Sequence, residues 1–244
     1  VSERPSFYAL SPGGWRDYVT LLHLPYTAWH LSYVVLGACA AAQFRPERLA
    51  QALVAFALGL GVAAHALDEY RGRPLQTRIP DRVLLGLAAA SLAGSASVAA
   101  HAALTTSPWV LLLAAVGVFL VLAYNLEWWG GRFHTDRWFA LAWGAFPAFV
   151  GHWSQGLVVE PAGVIVVAAA YALSRAQRTL SRPARDLRRR VASVSGEVRY
   201  RDGRAQPLSR DRLREPLEAA LKALSWAVPL VALAWLLTRL PRGV

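Results

Sequence analysis

Three side chains able to hold a cation or a proton stand close together at His65, Asp68 and Glu69. At spacings of i, i+3 and i+4 they share one face of a helix. A histidine beside two carboxylates suits a single divalent metal such as Mg2+. The same carboxylates can instead pair with nearby arginines while His65 donates to a neighbouring helix. His65, Asp68 and Glu69 are thus the candidate metal set, and Asp68, Glu69 and Glu127 the candidate catalytic carboxylates. Glu127 opens a second polar cluster with His134 and Asp136, directly after Tyr124 and Asn125.

Arginines gather in two further stretches, Arg71, Arg73 and Arg78, then Arg175, Arg178 and Arg182. Guanidinium forks match phosphate oxygens two at a time. With Tyr124 and Asn125 they are the candidate substrate-binding residues, suited to an anionic lipid or isoprenyl phosphate arriving sideways from a bilayer. In the simpler reading they snorkel to headgroups and fix topology. His30 and His152 stand alone in apolar stretches and suit hydrogen bonds between helices, while His101 falls toward the opposite face. No serine elbow, phosphate-cradling glycine loop, zinc-protease helix or haem-attachment motif occurs, and Gly-Leu-Gly-Val at 59–62 is helix-packing material.

Such residues need apolar helices to hold them. The 244-residue chain is 55% hydrophobic yet carries a net charge of +11. Apolar spans kept apart from basic loops reconcile those values. Lipid headgroups, not nucleic acid, are the expected partner of the basic charge. The lone Cys39 allows no intrachain disulfide, and the start lacks the apolar core of a signal peptide. A span needs about 20 mostly apolar residues, which predicts seven: 25–43, 49–68, 83–104, 108–126, 138–157, 160–177 and 217–238.

The even-numbered loops are the basic ones, so they and the N-terminus are expected on the cytoplasmic side of a bacterial inner membrane, with the C-terminus outside. Trp15, Tyr26, Trp128, Trp129 and Trp153 near span ends fit interfacial belts. The expected organisation is all-α, a polytopic helical bundle. Residues 1–24 form an interfacial lead, 25–177 a six-span bundle, 178–216 a basic loop and 217–244 the last span with the C-terminus. Within the basic loop, Asp202-Gly203 marks a hairpin turn, and Ser209 caps an amphipathic helix leading into the last span.

Several segments together resemble the UbiA superfamily of intramembrane prenyltransferases. Tyr18-Val-Thr-Leu-Leu-His-Leu-Pro-Tyr-Thr-Ala-Trp-His looks like the family's approach to its first helix, and Ala63-Ala-His-Ala-Leu-Asp-Glu-Tyr stands where its first Asp-rich motif falls. Ala-Trp-Gly-Ala-Phe-Pro-Ala-Phe-Val-Gly, containing Gly144 and Pro147, resembles the stretch joining helices four and five. Tyr171-Ala-Leu-Ser-Arg-Ala-Gln-Arg occupies the place of the second Asp-rich motif. The resemblance covers about residues 15–182. It implies transfer of an isoprenyl group from a diphosphate held by magnesium.

The departures from that pattern change the charge. Ala64 and His65 replace the Asn-Asp pair, Asp68 matches the next aspartate, and Gly72 stands at the last. In the second motif Ser174, Arg175, Arg178 and Arg182 fall at the Asn and aspartate positions. Either the arginines contact phosphate directly, beside at most one metal, or Asp68 and Glu69 pair with Arg175 and Arg178 in a structural site. The first outcome is a divergent prenyl or lipid transferase. The second is a non-catalytic protein of the same fold that binds a lipid, quinone or pigment or serves in a larger membrane complex.

Overall fold

A computed structural model describes residues 4–240; the expected placements of 1–3 and 241–244, including the C-terminal end, lie outside the described residues. Gly13 and Gly14, at φ 122° and 61°, turn the lead into α1, Trp15–Leu21, whose first-turn Asp17 accepts the Gly13 N–H at 2.9 Å. His23 in the left-handed region then redirects the chain into α2, Leu24–Ala40, with Pro25 in its first turn, where a missing N–H costs nothing. Helix α3, Pro46–Phe56, continues through a π turn, Ala57–Ala64, into α4, His65–Tyr70. After α5, Asp81–Thr105, and α6, Trp109–Asn125, comes the irregular turn α7, Trp128–Gly131. Helix α8, Asp136–Ala140, passes through a second π turn, Leu141–Ala145, into α9, Phe146–Gly156, and α10 spans Pro161–Arg189.

The expected hairpin forms as β1, Glu197–Arg199, paired antiparallel with β2, Ala205–Pro207, around Gly203 at φ 85°. Ser209 caps α11, Arg210–Arg239, accepting the Arg212 N–H at 3.2 Å. The amphipathic turns and the last apolar segment are therefore one continuous helix, where two were expected.

The architecture is all-α apart from that hairpin. Helix α2 lies at the centre, against α9, α10 and α11, and Trp29 and Tyr33 on it are fully buried. The Trp29 indole donates to the Tyr33 hydroxyl at 2.6 Å, so both polar tips are satisfied in the core. Helices α2 and α9 touch backbone to backbone: a Cβ at Gly37 would overlap the Ala148 carbonyl, and one at Gly151 the Val34 carbonyl. Small residues at both crossings permit that approach.

Three helices among the described residues are long and apolar enough to cross a membrane, Pro46–Tyr70, Asp81–Thr105 and Arg210–Arg239, each with mean hydropathy 1.8. The expectation of seven spans is corrected to these three. Trp109–Asn125 is apolar but has only 17 residues, and α2 also stops at 17. The segment 138–157 is divided among α8, a π turn and α9. Helix α10 turns basic from Arg175 onward, leaving too short an apolar run.

A polar chamber beside an apolar one

The ends of α4 and α6, the middle of α10 and the N-terminal lead converge on a polar chamber of about 130 Å3. Both π turns stand beside it. The wider turn at Ala57–Ala64 delivers His65 at its end, where Nδ1 donates to the Gly61 carbonyl at 3.0 Å. π turns are frequent at functional sites because the inserted residue re-aims the side chains beyond it. The second, Leu141–Ala145, presses Gly144 against Ser174 and Ala170 of α10, leaving no room for a Cβ. It also presents Trp143, which packs on Tyr124 with ring centroids 4.5 Å apart.

Of the residues singled out from sequence, His65, Asp68, Tyr124, Asn125 and Arg178 line this chamber. Asp68 makes no hydrogen bond or ion pair among the described residues. Tyr124 stacks on His134 at 4.4 Å, and His134 Nδ1 donates to the Tyr124 carbonyl at 3.0 Å. Asn125 donates back to the Val121 carbonyl at 2.7 Å. Arg178 donates to Asp136 at 2.9 Å and lies over the Phe139 ring, 5.0 Å from its centroid. Arg182 takes the other oxygen of Asp136 at 2.9 Å but stands outside, exposed. Desolvation would raise the Asp136 pKa, but the hydrogen bonds from Arg182 and Arg178 outweigh it and hold the carboxyl below its usual range.

The other candidates do structural work. Glu69 is fully buried, and its two oxygens accept the N–H groups of Leu75 and Thr77 at 2.9 and 2.8 Å. Buried Asp17 holds the same loop, accepting the Arg78 N–H at 2.9 Å, while the Arg78 side chain is exposed. Arg71 pairs with Glu127 at 3.0 Å on the surface, and Arg73 pairs with Asp81 and caps the Ile79 carbonyl. Arg175 does not line the chamber. Pairing of Asp68 and Glu69 with Arg175 and Arg178 is thus replaced by Glu69–backbone, Arg178–Asp136 and Arg71–Glu127 contacts.

No three His, Cys, Asp or Glu side chains come together as a metal-holding group among the described residues. With Glu69 spent on loop backbone and arginines in the second-motif positions, these residues do not fit a magnesium cage. The lone histidines behave as expected of helix-bridging groups. His30 Nδ1 donates to the Trp143 carbonyl at 2.9 Å, and buried His152 accepts the Glu160 N–H at 3.1 Å.

Other lining residues were not singled out from sequence: Tyr8, His23, Gln177, Arg185 and Arg189. Gln177, Ser181, Ala184, Arg185 and Arg188 recur at three- and four-residue steps along one face of α10. That period was available in the sequence. Burial, followed by the charge of neighbouring His65, lowers the His23 pKa well below its ordinary value. Burial likewise pushes Tyr8 up to about 12.

Trp143 also borders a second cavity of about 120 Å3, lined by α3 and its π turn, α5, α6 and α9. Its lining is mostly Ala, Leu, Val, Gly and Phe, with Arg48 and Ser154 at the far end. Trp143 therefore lines both a polar room and an apolar one. The class defined by this fold and site is an all-α protein with three helices long and apolar enough to cross a membrane and a basic, histidine-rich chamber at one end of the bundle. No protein-family model, curated protein or solved structure matches the chain.

Proposed function

We propose that this chain is an integral protein of the bacterial inner membrane that holds an isoprenoid or other anionic lipid. The head lies in the polar chamber and the tail in the apolar one. The supporting observation is that the two cavities share Trp143 as a common wall. Ligand sites combine mostly apolar lining with a few fixed polar groups, and a polar-headed, apolar-tailed molecule satisfies both rooms at once. Arg185 lines the chamber and makes no hydrogen bond or ion pair among the described residues, which leaves a guanidinium for an oxyanion. The remaining apolar segments complete a polytopic bundle, with the chamber and the basic loops facing the cytoplasm.

In the transferase form of this reading, Arg178 and Arg185 stabilise a departing phosphate, in the UbiA-like manner the sequence suggests. In the binding form, the lipid, a quinone or a pigment is held without chemistry, alone or within a membrane complex. The second form is favoured by one observation: Asp68 is the lone unspent carboxylate among the three candidates, since Glu69 and Glu127 are engaged elsewhere.

Native mass spectrometry of the purified protein tests the shared core of both. The expected result is a copurifying phosphorylated isoprenoid, lipid, quinone or pigment that Arg185→Ala reduces. A protein that releases only bulk phospholipid, equally from wild type and variant, overturns the reading. Incubation with an isoprenyl diphosphate then separates the forms, since only the transferase releases diphosphate.

A further inference from the structure

The N-terminal lead borders the polar chamber and is fastened to α10 by two arginines. Arg188 donates to the Arg4 carbonyl at 3.1 Å, and Arg189 donates to the Pro5 carbonyl at 3.0 Å and to the Ser6 hydroxyl at 3.2 Å. Arginine can only donate. Ser6 therefore accepts from Arg189 and is held against α10. The Tyr8 hydroxyl lies 3.1 Å from His23 Nδ1 and donates to it when that nitrogen is unprotonated.

A neutral His23 that accepts at Nδ1 must carry its hydrogen on Nε2. That nitrogen is sealed from solvent and has no partner. The other chamber histidines have the opposite tautomer: His30, His65 and His134 each donate Nδ1–H to a backbone carbonyl, leaving Nε2 as an acceptor. His23 is stacked directly on His65 at 4.1 Å and 14°, and it holds a left-handed backbone at φ 46°. A non-glycine residue in that conformation marks a side chain whose placement the surrounding structure enforces. Gln177, 3% exposed, also turns an unpartnered side-chain oxygen to the same chamber.

We propose that His23 Nε2–H and the guanidinium of Arg185 together receive an oxyanion, phosphate or carboxylate, and that Tyr8, donating to His23 Nδ1, fixes His23 as its donor. This rests on the chamber being the head-binding room of the function proposed above. Because Tyr8 belongs to the lead, a ligand that takes the His23 hydrogen bond also strengthens the Tyr8–His23 contact that ties the lead to the start of α2.

The full chain in detergent is titrated with dodecyl phosphate, dodecanol and inorganic phosphate. Wild type is expected to bind dodecyl phosphate more than tenfold tighter than dodecanol. Tyr8→Phe keeps the ring and removes the Tyr8–His23 relay, and His23→Phe keeps the stack on His65 and removes the donor. Each is expected to weaken dodecyl phosphate binding roughly tenfold, the scale of one charge-assisted hydrogen bond. The double variant should lose little more than either single one, as members of one chain do. Hydrogen exchange over residues 5–10 should slow when dodecyl phosphate binds to wild type but not to Tyr8→Phe. Tighter binding of dodecyl phosphate than of inorganic phosphate assigns the oxyanion to a lipid head, and the reverse order assigns it to a free anion; both keep His23 as donor. Folded Tyr8→Phe and His23→Phe proteins that bind as wild type, while Arg185→Ala does not, overturn the relay and leave the chamber reading intact. Equal wild-type affinity for dodecyl phosphate and dodecanol, with no response to inorganic phosphate, overturns both.

Discussion

Glu69 and Arg71 lie two positions apart, and the structure gives them opposite weight. Glu69 has no exposure and satisfies two backbone N–H groups of the loop after α4. Removing it strands both donors in a buried place, each costing about 1–3 kcal/mol. Glu69→Ala should therefore lower unfolding stability by about 3 kcal/mol, read from thermal or denaturant melts in detergent. Arg71→Ala breaks only an exposed ion pair with Glu127 and should stay within about 1 kcal/mol. Comparable losses from both would show that the loop is held by its surface charges.

His23 adds a pH dependence. Its folded pKa lies well below 6.5, so below that value the unfolded chain binds the extra proton and stability falls as pH drops. Melts should weaken from pH 7 toward pH 5, and His23→Phe should flatten that slope. The spacing that made this region legible also misled. Helical steps placed His65, Asp68 and Glu69 on adjoining faces, and His65 and Asp68 do line the chamber. But one residue is a turn of about 100°, and Glu69 faces backbone groups from six and eight residues further on. Loop amides returning to a carboxylate leave no periodic trace in a sequence.

Among the elements, the π turn at Ala57–Ala64 couples fold to site. It holds one residue more per turn than an α-helix, and α4 comes directly after it with His65 and Asp68. Deleting Leu58 should let the segment relax to regular helix and rotate those two side chains away from the chamber. Helical content by circular dichroism should be nearly unchanged while dodecyl phosphate binding is lost. Retained binding would mean that the π turn is incidental packing. Gly59 and Gly61 were readable as packing positions, but hydropathy carries no mark of the inserted residue, so the sequence showed a plain span. The same blindness produced the count of seven. Apolar stretches at 25–43, 138–157 and 160–177 are visible, whereas the early stop of α2, the break at Leu141 and the basic half of α10 decide how long each helix is. The caps were the more legible part, because Ser209 and Gly203 act on neighbours within a few residues.

At the scale of the whole molecule, charge is sorted by end. The chamber end carries the loop after α4, the turn after α6, and the long segment with the arginine-rich hairpin. The turn between α5 and α6, at Thr106 and Ser107, has no charge. Moving a cluster of arginines through a bilayer is far costlier than moving Thr and Ser, so the two ends should lie on opposite sides with the hairpin inside. Cys39 is buried and is the chain's single cysteine, so a Cys39→Ala background permits site-specific labelling. A membrane-impermeant maleimide added to intact cells should modify Thr106→Cys and spare Asp202→Cys until the cells are opened. The lead carrying Ser6 and Tyr8 borders the chamber together with α10, so Ser11→Cys should behave like Asp202→Cys. Labelling of Asp202→Cys in intact cells would place the chamber and its arginines outside, where a lipid drawn from the cytoplasmic leaflet could not present its head. Labelling of both Thr106→Cys and Asp202→Cys would mean that α5 does not cross, removing the apolar room from the bilayer interior. Only opposite accessibility lets the polar room sit at the cytoplasmic headgroups while the apolar room behind Trp143 lies at the depth of the acyl chains.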